Sequence, residues 1–108
     1  MNETKQTITR IRTEVVSAHL FSDASGYDVE ASGERYAQLL RAELQQAYPG
    51  AEIEINLLHG VEGHIERTIV DRGDDQVRSD EGFDDNDLLR IAELGSSLYD
   101  EADFYVAS

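Results

Sequence analysis

The sequence predicts an α+β fold: a two-layer β-α-β-β-α domain in which a small three-stranded mixed sheet carries two helices on one face. Three observations lead there. Residues 8–20 and 51–58 alternate apolar and polar side chains with the period of two that a half-buried strand requires. Residues 32–48 and 84–102 repeat apolar side chains at helical spacing. Residues 65–70 follow a glycine-flanked turn and return the chain as a further strand. The 108 residues fit a single domain, large enough to build a core without metal or disulfide staples.

Residues 1–7 are polar and expected to fray. In the first strand, β-branched Ile11, Thr13 and Val15 alternate with Arg10, Arg12 and Glu14. A Ser-, Asp- and Gly-rich loop covers residues 21–28. The first helix buries a stripe of Tyr36, Ala37, Leu40, Leu44, Ala47 and Tyr48, and Asp28 and Ser32 both suit its N-cap. Pro49-Gly50 ends it. Ile53, Ile55 and Leu57 then alternate with Glu52, Glu54 and Asn56 to make the second strand. Gly60 to Gly63 reads as the turn of a hairpin joining that strand to residues 65–70. The acid- and glycine-rich connection that follows, residues 71–83 above all, is expected to be mobile.

The last helix organises the chain. With Asp84 as N-cap, Asp87 stands at N3 and Phe83 closes over Leu88 as a hydrophobic staple. Leu88, Ile91, Ala92, Gly95, Leu98, Tyr99 and Ala102 give the apolar face, with Gly95 placed to admit a close neighbour. Arg90, Glu93, Ser97, Asp100 and Glu101 form the opposite, charged face.

Charge is the strongest compositional fact: 23 acids against nine bases, a formal net charge of −14 with Lys5 the sole lysine. Such a surface repels nucleic acid and anionic membranes and attracts basic protein grooves. Salt adaptation or simple solubility is the plainer reading of the same acidity. Cysteine is absent, which excludes a disulfide framework, a Cys-based zinc site and a thiol nucleophile. With no apolar run of membrane length and no signal-peptide pattern at the N-terminus, the expectation is a cytoplasmic protein.

Candidate chemistry is sparse. His59 and His64 flank the predicted hairpin turn and would face each other across it, but no third ligand is fixed, so solvated turn histidines are the reading and no metal is expected. His19 ends the first strand with no evident partner. The run from Asp71 to Asp85 lacks the register of a calcium loop. No nucleophile motif, phosphate loop or dinucleotide fingerprint occurs, and no carboxylate pair sits in an apolar setting. These absences point to a binding protein without cofactors rather than an enzyme.

The order RIRTEV, LLRAELQQAYPG, EIEINLL, a returning strand and DNDLLRIAELGSSLYDEADFYV resembles the DinI family, small bacterial, phage and plasmid proteins of β-α-β-β-α topology that bind RecA. The most specific matches are Tyr48-Pro49 at the end of the first helix and the closing run from Tyr99 to Val106. The resemblance implies that acids along the last helix imitate the phosphates of single-stranded DNA. It transfers that role to Asp87, Glu93, Asp100, Glu101 and Asp103. The expected function is modulation of a RecA-like partner in the SOS response, with the protein a monomer or weak dimer. Two alternatives stay open: a phage- or plasmid-borne inhibitor of another nucleic-acid-binding machine, of anti-CRISPR or antirepressor type, and a dimerising protein with an open sheet face. On that face Arg10, Arg12, Glu14, Glu52, Glu54, Glu66 and Arg67 would pair across strands.

Overall fold

The first period-two segment forms β1 (Arg10–Val16), which buries Ile11, Thr13 and Val15 and then tightens into a 3-10 turn, Ser17–Leu20. The computed structural model describes residues 7–21, 25–60, 63–81, 85–101 (Glu101 by its backbone alone) and 104–107. Helix α1 (Val29–Ala47) is capped by Asp28, whose carboxylate accepts the Ala31 N–H at 3.0 Å. Of the two caps the sequence offers, Asp28 is the one used, so the helix begins at Val29, and it ends before Pro49-Gly50 as expected. Strand β2 (Glu52–Leu58) lies parallel to β1, with Ile11 beside Ile53 and Val15 beside Leu57.

The rest of the sheet departs from the sequence reading. Strand β3 (Thr68–Arg72) pairs antiparallel with β1, not with β2, so β1 is central. The predicted β2–β3 hairpin is therefore absent: the connection leaves β2, passes β1 and adds β3 on its far side. Ile65, expected in the strand, precedes it and is 80% exposed. The described part of the acidic stretch expected to be mobile, up to Glu81, folds instead. Asp75–Arg78 form β4, antiparallel to β3, giving four strands in the order β2-β1-β3-β4. Gly73-Asp74 is the two-residue turn between them. Gly73 takes φ of +60° while Asp74 keeps a negative φ, the sign pattern of a type II′ hairpin.

Helix α2 (Asn86–Glu101) completes the fold. One core cluster joins Ile11 and Val15 of β1, Ile53 of β2 and Val70 of β3 to Tyr36, Leu40 and Leu44 of α1, Leu88 and Ile91 of α2, and Phe104. Both helices thus cover one face of the sheet. Where the helices meet, the Tyr36 hydroxyl donates to the Gly95 carbonyl at 2.8 Å, and a Cβ on Gly95 would lie 3.2 Å from the Tyr36 hydroxyl oxygen. The glycine admits a neighbour, as its place on the apolar face suggested.

The uncovered face is a layer of cross-strand ion pairs. Arg10 reaches Glu54 at 2.9 Å, Arg12 reaches Asp71 at 3.2 Å, and Arg67 with His64 closes on Glu14. Glu66, grouped with these charges by the sequence, instead accepts the Val16 N–H at 2.6 Å.

Candidate binding surface

The start of α2 is fixed one residue later than expected. The Asp85 carboxylate accepts the N–H groups of Asp87 and Leu88 at 2.9 and 3.2 Å, which makes Asp85 the cap and puts Asp87 at N2. Phe83 and Asp84, and with them the staple, lie outside the described residues. Arg72 of β3 donates to both Asp85 and Asp87 at 2.7 Å, and the Tyr48 hydroxyl donates to Asp87 at 3.0 Å. The hydrogen bond from Arg72 is the main reason the Asp85 carboxyl is held below the usual carboxylate range, against the opposing effect of burial. This clamp locks the helix entry to the sheet.

Asp87 is therefore a structural residue in its visible contacts, and it stands apart from the other acids assigned to binding. At about 100° per residue it lies some 120° around the helix from Glu93. Glu93 and Asp100 share the outer face with Leu89 and Ser97, all exposed. Seven residues separate the two carboxylates, about 10.5 Å along the axis. Neither is ion-paired with a described residue. The side chain of Glu101 and all of Asp103 lie outside the described residues, so the structure brings together two of the five assigned acids. Leu94, absent from the predicted apolar face, packs on the core, whereas Ala92 is exposed.

Beyond α2, the tail fixes the far end of this surface. Phe104 is fully buried and meets Tyr36 edge-on at 5.1 Å. The Tyr105 hydroxyl donates to the Leu20 carbonyl, the Val106 N–H donates to Ser32 Oγ, and Asp28 N–H donates to the Val106 carbonyl. Tyr27, Phe21 and Tyr105 stack around this anchor with centroids 5.0 to 5.7 Å apart.

Five arginines are held in ion pairs along the sheet and its edge, whereas Arg35 and Arg41 of α1 and Arg90 of α2 are exposed. Besides the pairs already named, Arg78 holds Asp80 at 3.0 Å, Arg41 donates to the Ile53 carbonyl, and Arg90 lies 5.6 Å from the Tyr48 ring. The histidines do not oppose each other across a turn. His59 Nδ1 meets Ser17 Oγ at 2.7 Å, His64 Nε2 meets Glu14 at 2.9 Å, and His19 lies 3.7 Å from Glu66. Among the described residues no group of three His, Asp or Glu side chains is placed to hold a metal ion. No helix among them is long and apolar enough to cross a membrane.

Compared with known proteins, the chain matches no protein-family model and no curated protein.

Proposed function

We propose that the protein is an acidic nucleic-acid mimic that acts by binding, through the outer face of α2, to a basic nucleic-acid-binding protein. A RecA-type recombinase is the favoured partner and modulation of SOS-type repair the outcome. The observation that carries this reading is the segregation of charge. Arg10, Arg12, Arg67, Arg72 and Arg78 are held in ion pairs within the fold, while Glu93 and Asp100 project from a rigid helix without a compensating cation among the described residues. One helix thus holds the two carboxylates at a fixed separation of about 10.5 Å along its axis. Carboxylates so fixed compete for the Arg and Lys side chains that otherwise grip phosphates. The sequence resemblance to DinI-like proteins supports the choice of partner.

Binding of the fluorescently labelled protein to RecA filaments on single-stranded DNA tests the proposal. Saturable binding that weakens as salt rises is the expected result. Absence of binding at low ionic strength, with folded protein, removes RecA as the partner.

A further inference from the structure

A second site lies away from the acidic ridge, between α2 and the sheet. Here Ala92, Gly95 and Ser96 on the helix oppose Thr13 and Thr68 on β1 and β3, and side chains this small leave a cavity of about 300 Å³ unfilled. That is the lower end of the range for small-molecule sites. Its walls include Leu20, Leu40 and Ile91, with the rings of Tyr36 and Tyr99. The polar lining joins Glu14, His19, Ser79 and Ser96 to two threonines and Glu66. Thr13 and Thr68 hydroxyls bond each other at 2.8 Å, and Glu66 stands at the cavity with 37% of its side chain exposed.

Glu66 is the informative group. Its contacts with the Val16 N–H at 2.6 Å and with His19 Nδ1 at 3.7 Å both fall on Oε2. Oε1 makes no hydrogen bond to a described residue. The carboxylate's charge also adds to burial in pushing the Tyr36 hydroxyl up to about 12, which places it electrostatically within reach of the cavity wall. An open carboxylate oxygen, two aromatic rings and an apolar wall together match one ligand chemistry. We infer that this cavity binds a small protonated amine on an apolar or aromatic body, with the ammonium on Glu66 and the body between Tyr36, Tyr99 and Ile91. Charge-assisted hydrogen bonding and the ring faces both favour the cation, and the net charge of −14 draws it in.

The test is a titration of the isotope-labelled protein with phenethylamine, followed by amide correlation spectra at fixed, near-physiological salt, beside its neutral analogue 2-phenylethanol. Saturable shifts should centre on Thr13, His19, Thr68, Gly95, Ser96 and Tyr99, with the alcohol at least about tenfold weaker. Glu66→Gln keeps a carbonyl oxygen for Val16 N–H and should bring the amine down to the affinity of the alcohol. Asp75→Asn, an equal loss of charge on β4, should leave it unchanged. Shifts that spread over the acidic surface without saturating, equal affinity for amine and alcohol, or an unaffected Glu66→Gln variant would each overturn the inference. If Glu66→Gln does not fold, as its own spectrum reports, the comparison of amine with alcohol on the parent protein still decides.

Discussion

Replacing Arg72 by methionine removes the guanidinium that ties the start of α2 to the sheet while keeping the aliphatic stem. Two charge-assisted bonds of 2.7 Å are lost, and the carboxylates of Asp85 and Asp87 are left without their cation. Arg72 is 16% exposed and its partners 21% and 25%, so water reaches the freed groups only in part. Truncating one partner of such a bond costs about 1.5–3 kcal/mol, and a partly wet pair of bonds sharing one donor should together cost about 2–4 kcal/mol. Arg78→Met makes the contrast. Its partner Asp80 is two residues away on the surface, and its loss should barely move the unfolding midpoint. Urea unfolding followed by circular dichroism reads both. Acid separates them further. Because Asp85 ionises more readily in the folded chain than in the unfolded one, its contribution is present above about pH 4 and is lost as pH falls through the lower folded value. The gap between parent and Arg72→Met should therefore narrow below pH 4. Equal midpoints for the two variants, or a gap that does not narrow at all on acidification, would refute the clamp.

Leu44→Ala, at a fully buried site, should destabilise by about 2–5 kcal/mol, and Leu98→Ala by less, because Leu98 is half-buried; urea midpoints compare them. Gly33→Ala should destabilise despite better helix propensity, by about 1–3 kcal/mol in the same assay, since the new Cβ would lie 2.8 Å from Ser17 Cβ and 3.2 Å from Leu57. Burial with the Glu66 charge pushes Tyr36 up to about 12, and burial with the Asp87 hydrogen bond does the same for Tyr48. Both contribute stability that is complete below about pH 10 and lost as pH rises through about 12. Ultraviolet titration should show Tyr36 and Tyr48 ionising only near pH 12, and Tyr36→Phe with Tyr48→Phe should remove their part of that late step.

What the sequence disclosed was whatever a local pattern encodes. Ile11, Thr13 and Val15 announce a one-faced strand, the Tyr36–Leu44 stripe announces a helix, and Pro49-Gly50 ends it whatever the tertiary context. Strand order was not legible, because nothing within residues 65–70 distinguishes pairing with β1 from pairing with β2. Pairing with β1 is a choice made by Val70 settling beside Ile11 in the core. Strand β4 escaped notice because it offers one apolar side chain, Val77, among charged and polar neighbours; its order comes from the backbone of β3. The Gly73-Asp74 pair flanked by Ile69, Val70 and Val77 was the available signal for that hairpin. Among the acids proposed for binding, the outward position of Glu93 and Asp100 followed from helical spacing. The capture of Asp87 did not, since Arg72 and Tyr48 reach it from 15 and 39 residues away.

The most direct test of the acidic ridge compares the parent with the variant Glu93→Gln, Asp100→Asn, Glu101→Gln, Asp103→Asn in filament binding at low ionic strength. The changes keep shape and remove four negative charges. Stability should hold or rise, because anions near the C-terminus of α2 oppose the helix dipole. Affinity for the filament should fall by more than about tenfold if charge-assisted contacts carry recognition. A folded variant that binds as tightly as the parent would contradict the account and move attention to the exposed carboxylates of the β3–β4 turn, Asp74 and Asp75.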